Sequence, residues 1–116
     1  MTPRHSDEHR LQNEILRRFG TRPGLRLWRA NTGVARLGNR IVRFGVPGQA
    51  ELTGILSDGR RLEVEVKSPT GKQTDDQRNY QTMIERFGGV YVLARCVDDV
   101  ERAINAATNT SNRSTP

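Results

Sequence analysis

The chain has 116 residues, with 19 Lys and Arg against 13 Asp and Glu, a formal net charge of +6 and a sequence pI near 10.7. That length accommodates one domain, the single cysteine Cys96 excludes an internal disulfide framework and a thiolate zinc cluster, and no apolar run approaches the roughly 18 residues of a membrane span. The basic excess points to a polyanion as partner, most simply nucleic acid, and the opening MTPRHSDEHR has no apolar stretch, so secretion is not expected.

In chain order, Leu11, Ile15, Leu16 and Phe19 recur at helical spacing, which predicts a helix from Ser6 or Asp7 to Phe19, ended by Gly20. After the turn Thr21–Gly24, Leu25–Ala30 alternates as a strand. Val34–Leu37 and Arg40–Phe44 read as a hairpin turning at Gly38-Asn39. A tight loop through Pro47-Gly48 leads to a second hairpin, Glu51–Leu56 and Arg61–Lys67, turning around Asp58-Gly59. A second helix opens at Thr74, where Thr74-Asp75-Asp76-Gln77 fits a capping box, and stops at Gly88-Gly89. Val90–Ala94 is an unbroken apolar run and reads as a central strand. A short helix carrying Val100, Ala103 and Ile104 follows, and the polar stretch from about Asn105 is expected to be disordered. The order α-β-β-β-β-β-α-β-α predicts a mixed α/β (α+β) domain over residues 1–105 with a polar tail over 106–116.

The chemistry concentrates around Leu62–Lys67. In a strand, Leu62, Val64 and Val66 share one face and Glu63, Glu65 and Lys67 the other. A half-exposed strand with its charges in water satisfies this alternation without any site. Glu51 starts the strand folded back on Glu65, and two close carboxylates suit a hard cation such as Mg²⁺. Register decides between the two: a strict two-residue turn puts Glu51 on the wrong face, and only a three-residue loop, a bulge or a bend near Gly54 brings it to Glu65. Glu8 lies on the inward stripe of the first helix, where it either complements the helix dipole or needs a partner. Gln77 lies on the inward stripe of the second, as cap, as orienting group, or both. Trp28 is expected to pack in the core, with base stacking as the alternative. Tyr80 and Met83 are read as core, Cys96 as a small packed residue, and His5 and His9 as having no role.

Taken together, Glu8-x-x-Leu11-Gln12, Asn31-Thr32-Gly33, Gly45-x-Pro47-Gly48-x-x-Glu51-Leu52-x-Gly54, Asp58-Gly59-Arg60, Glu65-Val66-Lys67-Ser68, Gly71-Lys72, Gln77 and Gly88-Gly89 resemble the VRR-NUC (virus-type replication-repair nuclease) domain of the PD-(D/E)XK nuclease superfamily, over about residues 6–100. The resemblance implies a restriction-endonuclease-like core, a mixed sheet flanked by helices. It also implies a Mg²⁺- or Mn²⁺-dependent phosphodiesterase, cytoplasmic in a bacterial or phage-infected cell. By that resemblance Glu51 takes the first acidic position, Glu65 and Lys67 the E-x-K, Glu8 the N-terminal helix acid and Gln77 the glutamine of the following helix. The metal would be held by Glu51, Glu65 and the Val66 carbonyl, with Glu8 on a second ion or a metal water. The sequence departs in carrying Glu51 where the family usually has Asp.

Small stand-alone members imply a homodimer acting on branched DNA such as four-way (Holliday) junctions, in DNA repair. Arg36, Arg40, Arg43, Lys72 and Arg78 are candidate phosphate contacts, with Arg60 and Arg61 nearby, and the Val34–Phe44 hairpin is a candidate arm or interface. Two rivals stand beside the nuclease: a nuclease-shaped DNA-binding module with weak or no catalysis, and an RNA-binding basic protein with no carboxylate cluster.

Overall fold

The computed structural model describes residues 4–31 and 33–113. The elements follow the expected order: α1 (Arg4–Phe19), β1 (Leu25–Arg29), β2 (Gly33–Leu37), β3 (Arg40–Phe44), β4 (Leu52–Leu56), β5 (Arg61–Val66), α2 (Asp75–Arg86), β6 (Val90–Ala94) and α3 (Val97–Arg113). The fold is mixed α+β. Four strands form one sheet in the order β1-β4-β5-β6, and β2 and β3 pair apart from it as a two-stranded ribbon. Within the sheet β1, β4 and β5 run antiparallel and β5 and β6 run parallel, so the β5–α2–β6 segment is a crossover.

Side-chain alternation splits the sheet into two packed faces. On one, Leu25, Leu27, Leu52, Leu56, Leu62, Val64, Val66, Val92 and Ala94 meet Ile15 and Phe19 of α1 and Val100 and Ile104 of α3. On the other, Tyr91 and Leu93 meet Tyr80 and Ile84 of α2, with Ala50. The α2 capping box is present, the Thr74 hydroxyl accepting from the Gln77 amide at 3.1 Å while the Gln77 side chain accepts from the Thr74 amide at 2.9 Å. A bidentate Arg22–Glu101 pair joins the turn after α1 to α3.

Several expectations are corrected, among them that for Met83, which is 37% exposed rather than core. The run Val90–Ala94 forms the edge strand β6, not a central one; it is apolar throughout because α2 and α3 cover its two faces. The expected tail of residues 106–116 is helical through Arg113, the last three residues lying outside the described ones. Ala107 extends the Val100, Ala103, Ile104 stripe by one more turn against the core, and Arg60 donates to its carbonyl at 3.1 Å. Cys96 is exposed rather than packed.

Candidate metal and phosphodiester site

The register condition is met. Leu52 pairs with Val64, Thr53 with Glu63 and Gly54 with Leu62, so paired numbers sum to an even value and Glu51 falls on the face of Glu63 and Glu65. The cause is the turn: the Leu56 amide donates to the Arg60 carbonyl at 2.9 Å, leaving Ser57-Asp58-Gly59 as a three-residue loop. Gly59 closes it at φ +94°, a conformation that costs glycine little.

Four elements converge on this point. Glu65, near the end of β5, is 1% exposed. Gln77 of α2 donates to its Oε2 at 2.8 Å, so the capping glutamine also orients the carboxylate. The Lys67 ammonium is 3.8 Å from the same oxygen. Glu51 Oε1 accepts from the Val66 amide at 3.1 Å. Glu8, on α1, accepts from the Ser68 amide at 3.0 Å, so its carboxylate faces the chain just beyond Lys67 instead of merely complementing its own helix. A cavity of about 280 Å³ opens on the Glu8 side, lined by Glu8, Lys67, Ser68 and Arg95 among others; neither Glu51 nor Glu65 lines it.

The electrostatics mark Glu65. Its Oε1 is buried without a hydrogen-bond partner among the described residues. Burial first, then the neighbouring Glu51 carboxyl, push the Glu65 carboxyl up to about 9, with Glu8 adding to the rise and Lys67 opposing it. Two neighbouring carboxylates are reconciled by a proton or a cation. A divalent ion fits the donor set, since Mg²⁺ uses one or two protein carboxylates and completes its shell with water and substrate oxygens. Among the described residues no three His, Cys, Asp or Glu side chains form a metal-holding group, so any ion would rest on the Glu51–Glu65 pair, with backbone and water oxygens. Val66 meets Glu51 through its amide, not its carbonyl.

Glu63 departs from the picture of charges in water. It is fully buried. Tyr80 and Thr53 donate hydroxyl bonds to its two oxygens, and Arg61 Nε adds a contact at 3.3 Å. Burial and the Glu63 contact raise the Tyr80 hydroxyl above its ordinary range. Alternation alone could not reveal this, because it does not say which face α2 covers; Tyr80 on the inward stripe of α2 was the available signal. Trp28 corrects the core assignment: it is 51% exposed. It pairs with Thr53 on the same face as Glu51, over β1, which α2 does not cover.

The candidate basic residues do not gather at the carboxylates. Arg36, Arg40 and Arg43 lie on the separate ribbon. Arg78 bonds to the Gln73 carbonyl and to Asp75 on the α2 surface, and Lys72 is exposed in the loop before α2. Ser68 and Arg95, unforeseen in the sequence, border the cavity instead, with Arg95 donating to the Ser68 carbonyl at 2.6 Å. No family model, curated protein or solved structure matches the chain.

Proposed function

We propose that the chain is a Mg²⁺- or Mn²⁺-dependent deoxyribonuclease of the VRR-NUC kind, hydrolysing phosphodiester bonds in branched DNA, as a homodimer. The observation that carries this reading is the buried, partly unpartnered Glu65, with Glu51 brought to its face by the β4–β5 register and an ammonium 3.8 Å away. A surface strand has no reason to bury a carboxylate beside a second acid, whereas a cation site needs such a pair.

In this reading Glu51 and Glu65 hold the ion, with the Val66 carbonyl as a third oxygen and Glu8 serving a second ion or a metal water. A bound divalent ion supplies Lewis acidity, offsetting charge on the scissile phosphate and acidifying water. Gln77 keeps Glu65 in one orientation. The Lys67 ammonium stabilises negative charge developing on the phosphate or orients the attacking water. Trp28, exposed on the same face, offers a stacking surface to an unpaired base; because it is the chain's single tryptophan, stacking would quench its fluorescence directly.

The test is cleavage of labelled single-stranded, duplex, flap and four-way-junction DNA with Mg²⁺, Mn²⁺ or chelator. The expected result is metal-dependent cutting that favours branched DNA and falls about 10²–10³-fold in Lys67→Ala. Wild-type rates in that variant would discard the assignment. The second reading, a DNA-binding module without catalysis, is favoured by Glu51 standing where the resembled family usually has Asp. It predicts binding with no cutting under either metal.

A further inference from the structure

The β2–β3 ribbon is set apart from the folded core. It pairs only with itself in the sheet topology, and Val34, Leu37 and Ile41 are 60%, 63% and 63% exposed. A two-stranded hairpin alone in water is marginal, so a ribbon with this much bare apolar surface calls for a covering partner. Its charge says which kind. From Asn31 to Ala50 there is no Asp or Glu, and the ribbon carries Arg36, Arg40 and Arg43.

Register gives the ribbon two unlike faces. Val34 pairs with Arg43 and Arg36 with Ile41, which places these four exposed side chains on one face. Ala35 pairs with Val42 and Leu37 with Arg40 on the other, where Ala35 and Val42 are partly covered. The ribbon is also rooted at the candidate site. The Ala30 amide donates to the Glu51 carbonyl at 2.8 Å, so the chain departs toward the ribbon and comes back from it beside the first acid. On the return leg Gly48, at φ +77°, lies so close to the first turn of α2 that a Cβ would come 2.2 Å from the Asp76 carbonyl oxygen. Only glycine permits that contact.

We propose that this ribbon is an arm that enters the major groove of B-form duplex DNA, with Arg36 and Arg43 directed at phosphates or base edges, and so holds a duplex arm of the substrate beside Glu51. The proposal rests on the reading of the carboxylate site as one that acts on DNA. Strands about 4.8 Å apart and roughly 17 Å long fit a groove about 12 Å wide, which admits a two-stranded ribbon, whereas the narrow major groove of A-form RNA does not. An isologous contact through the face that carries Arg36 and Arg43 would set arginines against arginines.

The test measures binding of the full chain, in chelator, to a 20-base-pair DNA duplex and to the matching RNA duplex over a salt series. Arg36→Gln/Arg43→Gln is expected to lower the slope of log affinity against log salt by about 1.8 on DNA. It leaves the RNA slope and the thermal midpoint unchanged, while Arg36→Lys/Arg43→Lys keeps the wild-type slope. A wild-type DNA slope in the Gln variant, in a protein that still cuts DNA with Mg²⁺, overturns the arm and leaves the carboxylate site standing. The expected slope change in a protein that never cuts DNA leaves the arm standing and removes the nuclease reading. A dimer that Leu37→Ser/Phe44→Ser dissociates, with the DNA slope unaltered, overturns the arm in favour of a contact between copies.

Discussion

Two glutamates on one face of β5, Glu63 and Glu65, are almost equally buried, at 0% and 1% exposed, yet their surroundings are opposite. Glu63 is met by donors alone: the Tyr80 and Thr53 hydroxyls and the Arg61 guanidinium. Glu65 receives one amide bond from Gln77, has a second acid, Glu51, on its face, and keeps one oxygen unpartnered. A buried carboxylate surrounded by donors is part of the scaffold. One that faces a second acid is unstable until a proton or a cation joins them. The contrast lies between two residues of one strand and singles out Glu65 as the candidate for function.

The largest expected effect that sharpens the comparison is the pH dependence of the metal-free protein. An unfolded Glu65 gives up its proton near pH 4.5, and the folded one keeps it to about 9. Between those values the folded chain holds the extra proton, so stability falls as pH rises through the window and levels off above it. Fully developed, the loss is on the order of 5 kcal/mol. Denaturant melts in chelator from pH 5 to 9 should show this decline, Glu65→Gln should flatten it while abolishing cleavage, and Mg²⁺ should reduce it with release of about one proton per ion at pH 7. An equally steep decline in Glu65→Gln would assign it to other groups.

Next comes Tyr80→Phe, which removes a donor from buried Glu63 and should cost about 1–3 kcal/mol in denaturant melts, with cleavage per folded molecule unchanged. A large loss of activity at full stability would erase the distinction between the two glutamates. Gln77→Ala should require about 10–100-fold more Mg²⁺ for half-maximal cleavage, as loss of an orienting partner does, alongside a cap loss of about 1 kcal/mol. The smallest effect is expected for Arg61→Met. Its side chain is 58% exposed, so solvent screens its ion pair with Glu63, and the melt should shift by less than about 1 kcal/mol.

Much of the fold was legible because local rules were strong. The stripe Leu11, Ile15, Leu16 and Phe19, the Thr74–Gln77 capping box and the Asp58-Gly59 turn each carry their structure within a few residues. Where the reading failed, the missing information was non-local. Val90–Ala94 looks central because both its faces are covered, and no local pattern distinguishes coverage by helices from a second neighbouring strand. The helix through Arg113 draws on Ala107 against the core and Arg60 on its carbonyl, contacts between segments 47 residues apart. Trp28 is apolar enough for a core, but α2 does not reach over β1.

The candidate site divides in the same way. The chain alone determined which carboxylates share a face of β5, with Lys67 one residue past its end, since a period of two leaves no choice of face within a strand. Tertiary structure decided the rest: that a three-residue turn brings Glu51 to the side of Glu65, that Glu8 reaches the Ser68 amide from another layer, and that Glu63 is enclosed by hydroxyls. Periodicity is a property of a single segment, whereas register and burial depend on which segments meet, and those meetings are settled by packing across the whole domain.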